Sequence, residues 1–173
     1  SSELPFFPHS APHQDILFAV FDAQITDRAE TGLNTLADRI GMQFCGLGST
    51  CKNKGAALLA NSLIAENQSI AALSGIARTE ERLILGMKDL DSIKTANAIS
   101  GQVGSYCLFR ADDQYITLET DYFGVDKLYY FRSDAVFLVS NRVHLLLLAM
   151  RSLNIERVPN WEKIYAYLPM NNQ

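Results

Sequence analysis

The sequence has no run of basic residues, no apolar stretch long enough to cross a bilayer, and no cysteine ahead of Cys45. Each absence closes a class of function. With no basic run and a formal net charge of −4, the chain lacks the positive surface that nucleic acid or an anionic membrane requires. Neither is expected as a partner. The longest uninterrupted apolar run after Asn141 is Leu145 to Met150, far short of the roughly 20 residues of a spanning helix. The opening residues, Ser-Ser-Glu-Leu-Pro-Phe-Phe-Pro-His, carry no positive charge ahead of an apolar block, so no signal peptide is read there. The three cysteines, Cys45, Cys51 and Cys107, cannot all pair with one another. Free thiols in a reducing cytoplasm are the expectation.

What is present is ordinary for a folded domain. The 173 residues are 48% hydrophobic and 20% charged, enough for one domain with a real core. Residues 1–14 hold three prolines and two histidines without a period and read as an extended arm. Residues 16–21, Ile-Leu-Phe-Ala-Val-Phe, read as a buried strand. Leu33, Leu36, Ala37 and Ile40 are spaced as one helix face, with Thr26 or Asp27 as its cap and Gly41 as its stop.

Residues 44–55 read as a loop or strand edges, and periodicity leaves 56–63 open between strand and helix. Residues 68–73 read as a strand that ends at Ser74-Gly75. Short helices are expected at 80–87 and 92–100, an apolar helix at 143–153, and a last helix at 161–167 behind Pro159.

Residues 101–141 are the most specific stretch. They read as four short strands joined by turns at 111–113 and 132–134, with Asp121-Tyr122-Phe123-Gly124 at a corner. Short turns imply antiparallel pairing. Gly124 suits a positive φ, and the Asp121 carboxylate suits the backbone of that turn. The expected fold class is α+β, with two antiparallel sheets covered by helices on their outer faces.

This block resembles the closing half of the class II glutamine amidotransferase domain at the N-terminus of asparagine synthetases. That family carries a Gly-x-Phe-Ala strand, an acidic turn, a strand ending Arg-Asp-x-Phe-Gly, a Pro-Leu-Tyr-Tyr strand, and a strand ending Ser-Glu before a helix. Here the matching stretches are Gly101 to Phe109, Asp112-Asp113, Thr120-Asp121-Tyr122-Phe123-Gly124, Lys127-Leu128-Tyr129-Tyr130 and Val139-Ser140-Asn141. Val158-Pro159-Asn160-Trp161 through Leu168 resembles the helix that leads into the synthetase domain. The likeness covers about residues 99–168 and is faint over 15–98.

The resemblance implies the N-terminal-nucleophile hydrolase fold, a four-layer α-β-β-α sandwich. It divides the chain into an arm at 1–14, a glutaminase-like domain at 15–158, and a linker helix at 159–173. It also implies a partner, a synthetase domain in cis or in trans, whose Ser-Gly-Gly-x-Asp-Ser loop this sequence lacks. ATP and magnesium would belong to that absent domain, with no cofactor assigned to this chain. A homodimer is a further association left open.

The glutaminase chemistry of the family needs an N-terminal cysteine whose own amine serves as base. Here the first strand is preceded by Gln14 and Asp15. Ser1 stands far from the strand, at the end of a proline-rich arm. The family's oxyanion Asn-Gly becomes Ser74-Gly75, read mainly as a turn. No arginine lies between Asn53 and Asn67 to grip a carboxylate. The motif Ser-Asp-x-Glu is missing, and Asp89-Leu90-Asp91-Ser92 reads as a solvated loop and cap.

No catalytic residue is therefore assigned. Ser74, Gly75 and Asp121 remain as weak substrate-binding candidates. The expectation is a degenerate, non-catalytic domain that acts as scaffold for an asparagine-synthetase-like ligase. The alternatives are a hydrolase activated by processing and a free-standing interaction module.

Other motifs carry less. Residues 46–55 miss the spacing of a phosphate loop. Cys45 and Cys51, with five residues between them, and the scattered His9, His13 and His144 fit no metal site. Most of Tyr122, Tyr129, Tyr130, Trp161, Tyr165 and Tyr167 are expected in the core. The 145–148 helix with Trp161 and Tyr165 is a contact patch in reserve.

Overall fold

A computed structural model describes residues 12–48, 54–90, 93–99 and 102–156. Ser1, His9, Cys51, the 159–173 linker and the expected last helix lie outside the described residues. The fold is α+β and is built on two antiparallel sheets.

The first sheet runs β2-β3-β1-β10-β9. Its members are β1 (Ile16–Asp22), β2 (Gln43–Leu47), β3 (Lys54–Ala60), β9 (Tyr129–Arg132) and β10 (Val136–Ser140). The second runs β4-β5-β7-β8, with β6 paired to β5. It comprises β4 (Ile64–Glu66), β5 (Ser69–Arg78), β6 (Leu83–Leu85), β7 (Val103–Ala111) and β8 (Ile116–Thr120). Helices α1 (Thr26–Ile40), α2 (Ile93–Ile99) and α3 (Val143–Ser152) complete the fold.

Strand β1 is apolar from Ile16 to Phe21, where both of its faces are packed against other elements. Leu17, Ala19 and Phe21 pack with α1, α3 and the matching face of β3 and β10. Ile16 and Phe18 point the other way and meet Ile70, Ala72, Cys107 and Phe109 of the second sheet. Period-two alternation assigns each residue to its cluster. A third cluster joins Ala71, Leu73, Tyr106 and Leu108 to Ala96 and Ile99 of α2. In α1 the buried residues Thr26, Ala29, Leu33, Leu36 and Ala37 form one stripe. Gly41 ends the helix at φ 71°, in the left-handed region.

Several elements differ from the sequence reading. Ile25 occupies the helix cap position without a side-chain bond, and Thr26 is the first helical residue. The 56–63 ambiguity resolves as strand over 56–60, which lies between β1 and β2 as their common partner, and as loop over 61–63. Residues 80–87 are not a helix. They hold β6, paired to the end of β5, followed by a 3-10 turn at Gly86–Asp89.

Strand β5 does not end at Ser74-Gly75. It continues to Arg78 along β7, so Gly75 is a mid-strand residue. Its φ of 106° excludes other residues, and a Cβ there would collide with the Ser105 carbonyl oxygen. The exposed tyrosines also depart from expectation: Tyr122, Tyr129 and Tyr130 are on the surface. Within the reserve contact patch on α3, Leu145 and Leu146 are buried, Leu147 is exposed and Leu148 half-buried, while Trp161 and Tyr165 lie outside the described residues.

Candidate functional site

Residues 121–128 pass from β8, in one sheet, to β9, in the other. The crossing is fixed by Asp121, only 3% exposed. Its carboxylate accepts hydrogen bonds from the N–H groups of Phe123 at 3.0 Å, Val125 at 3.2 Å and Asp126 at 3.3 Å. Burial alone would raise its pKa. Hydrogen bonds from the backbone of Val125, Asp126, Phe123 and Tyr106 reverse that and hold it below the ordinary 3.8. Gly124 follows at φ 61°.

A cleft of about 250 Å³ lies beside this crossing. It is lined by His13 ahead of β1, Ser74 of β5, Asp126 and Lys127 of the crossing, Tyr129 at the start of β9, and Asn141 and Arg142 beyond β10. Its position is the entry to β1.

Here that entry is filled by a continuous chain. The Gly75 N–H donates to the Pro12 carbonyl at 2.7 Å. The Gln14 N–H donates to Ser74 Oγ at 2.9 Å. The Gln14 carboxamide donates to the carbonyls of Ser62 at 3.0 Å and Leu73 at 2.9 Å, and accepts from the Ser62 N–H at 2.8 Å. The Asp15 N–H donates to Asn61 Oδ1 at 3.0 Å. Asn141 spans the junction: its Nδ2 donates to the Gln14 carbonyl at 2.7 Å and its Oδ1 accepts from the Ile16 N–H at 2.8 Å. Arg142 Nε donates to the buried Asp15 carboxylate at 2.7 Å.

Of the three sequence candidates, the cleft gathers only Ser74 into its lining. Gly75 lies next to it, but its N–H is already given to Pro12, so it is no ready oxyanion donor. Asp121 anchors the crossing and is not part of the lining. The residues that sequence reading missed are Gln14, Asp126, Lys127, Asn141 and Arg142. Asn141 and Lys127 stood inside the resembling block, whereas Gln14 carried no signal at all.

Thiol chemistry finds no support in the described residues. Cys107 faces Ser74 across the β5–β7 pair. Burial, then the charge of Asp126, pushes its pKa up to about 12 against hydrogen bonds from Ser74 and Asn141. It is therefore protonated at neutral pH and a poor nucleophile. Cys45 is also raised, by burial and then by Glu30. Asp89 accepts the Leu85 N–H at 3.0 Å and serves its own turn. Among the described residues no group of three or more His, Cys, Asp or Glu is placed to hold a metal ion. Among the same residues no helix is long and apolar enough to cross a membrane.

No protein-family model, no curated protein and no solved structure matches this chain.

Proposed function

We propose that this chain is a non-catalytic, glutamine-amidotransferase-like domain that serves as scaffold for the synthetase half of an asparagine-synthetase-like, ATP-dependent amide-forming ligase. The observation that carries this reading is the filled entry to β1. A terminal nucleophile must present its side chain and its free α-amine there. In this chain the same place holds residues 12–15, with Gln14 and Asp15 buried and tied by hydrogen bonds to Ser74, Leu73, Asn61 and Arg142. Both retained features of the resembling block, the Asp121 anchor and Gly124, are structural.

The clusters are consistent with the four-layer α-β-β-α sandwich that this reading proposes. Helices α1 and α3 cover one sheet, the second sheet faces the first, and α2 covers the second. That sequence of packing is the one an α-β-β-α sandwich requires. ATP and magnesium belong to the synthetase half in this proposal, and the cleft residues of this chain bind neither. The cytoplasm is the compartment it implies.

The test is incubation of the protein with glutamine, with ammonia read by a coupled assay. The expected result is no release above a protein-free control. Either a stoichiometric burst or turnover overturns the non-catalytic reading.

A further inference from the structure

Among the described residues, β9 pairs only with β10, so one side of the strand is an open edge. Open edges are commonly protected by proline, a bulge or an inward charge. Strand β9, Tyr-Tyr-Phe-Arg, has no proline, and its register with β10 runs without a break. Its two ends differ in shape. Ahead of it stands an exposed aromatic knob: Tyr122 is 89% exposed and Phe123 77%, and their rings stack edge-to-face at 5.3 Å. Tyr130, within the strand, is 71% exposed. Beyond it, at the Arg132 end, opens a cleft of about 740 Å³ walled by Val20, Ala135 and Phe137 and edged by Lys54, Arg132 and Asp134.

We propose that the β9 edge is a two-fold interface between copies of this chain. Strand β9 of one copy pairs antiparallel with β9 of the second, and the Tyr122–Phe123 knob of each enters the Arg132-end cleft of the other. Three observations support a second copy as the occupant. First, knob and cleft sit at opposite ends of one edge strand, so a two-fold axis through β9 matches each with its complement. Second, the exposed Lys127 precedes β9 and the exposed Asp134 follows it. Antiparallel pairing brings the lysine of one copy alongside the aspartate of the other, and presents Arg132 to the entering rings. Third, the area is sufficient. An aromatic side chain carries about 150–250 Å², so Tyr122, Phe123, Tyr129, Tyr130 and Val125 present on the order of 600 Å² per copy. A standard interface uses roughly 800 Å² per partner, and the paired backbones and cleft walls supply the rest. The proposal is independent of the glutaminase-like reading.

Light scattering on the full chain, across a concentration series, tests it. The expected mass is twice the 19.2 kDa of the chain. Tyr130→Lys and Phe123→Ser should each weaken association about tenfold or more, with circular dichroism unchanged. Leu83→Ser removes an exposed apolar side chain of β6, which pairs with β5 in the other sheet, and should leave the dimer intact. Zero-length carbodiimide crosslinking of the unmodified protein should give an intermolecular Lys127–Asp134 link. A monomer at every concentration overturns the proposal. So does a dimer that gives no such link and is indifferent to both variants.

Discussion

Asp121 shows how much one buried carboxylate can organise. It turns the chain from β8 to β9 by taking the N–H groups of Phe123, Val125 and Asp126 on its carboxylate. Asparagine at that position keeps one acceptor and loses the charge. Asp121→Asn should cost about 1–3 kcal/mol near neutral pH, read from denaturant midpoints. The sign of its pH dependence follows from the shift. A folded-state pKa below the unfolded value contributes stability that is present above the unfolded value of 3.8 and is lost as pH falls through the folded one. The gap between wild type and variant should therefore narrow as pH drops below 3.8. A gap that stays constant down to acid would mean that the charge contributes nothing. This role was legible in the sequence, because an aspartate before Tyr-Phe-Gly has a short-range partner. The mid-strand role of Gly75 was not legible. A glycine after Ser74 reads as a turn when the strand that continues past it is invisible, and only the pairing with Ser105 and Tyr106 shows why no Cβ fits.

Among elements, the segment of residues 12–15 is the least conventional. It belongs to no sheet, yet it ties the middle of β5 to the loop after β3 through one side chain. Gln14 does this with a single carboxamide that satisfies Ser62 and Leu73 together. Gln14→Ala takes this donor from the buried Leu73 carbonyl and both bonds from the exposed Ser62, and should cost about 1–3 kcal/mol, measured by thermal or chemical denaturation. Gln14→Glu should also destabilise, since a carboxylate cannot donate to two carbonyls. If both variants match wild type, the segment is not a fastening. Element types were readable where a period was long, as in α1, or where both faces were buried, as in β1. They were misread at 80–87, where Glu-Glu-Arg-Leu-Ile-Leu suits a helix by propensity. Pairing with Ile76, Ala77 and Arg78 of β5 overrides that preference.

At the scale of the whole molecule, the two sheets meet through a small set of large side chains. Phe18 and Phe109 are fully buried, with ring centroids 6.3 Å apart across the interface. Phe109→Ala should cost about 3–5 kcal/mol and shift the whole unfolding transition, not one sheet alone. Two separated transitions would show that the sheets are independent units. The composition and the antiparallel turns made the two-sheet architecture readable. The pairing of distant strands was not, because a continuous apolar run specifies burial and says nothing of its neighbours. The surface tyrosines were misplaced for a related reason. Tyr122 and Tyr130 have an interior composition, but the chain crossing and the open edge leave them outside.

The position of β1 has a consequence in time. It is the middle strand of its sheet, with β3 on one side and β10 on the other. Leu17 faces Leu59 in one direction and Ser140 in the other. A chain emerging from a ribosome presents β1 first and β10 more than a hundred residues later. Until then its most apolar strand has at most one neighbour. Such distant closure makes folding slow and exposes an adhesive segment early. The nascent protein therefore depends on the completion of its last strand before its first is safe.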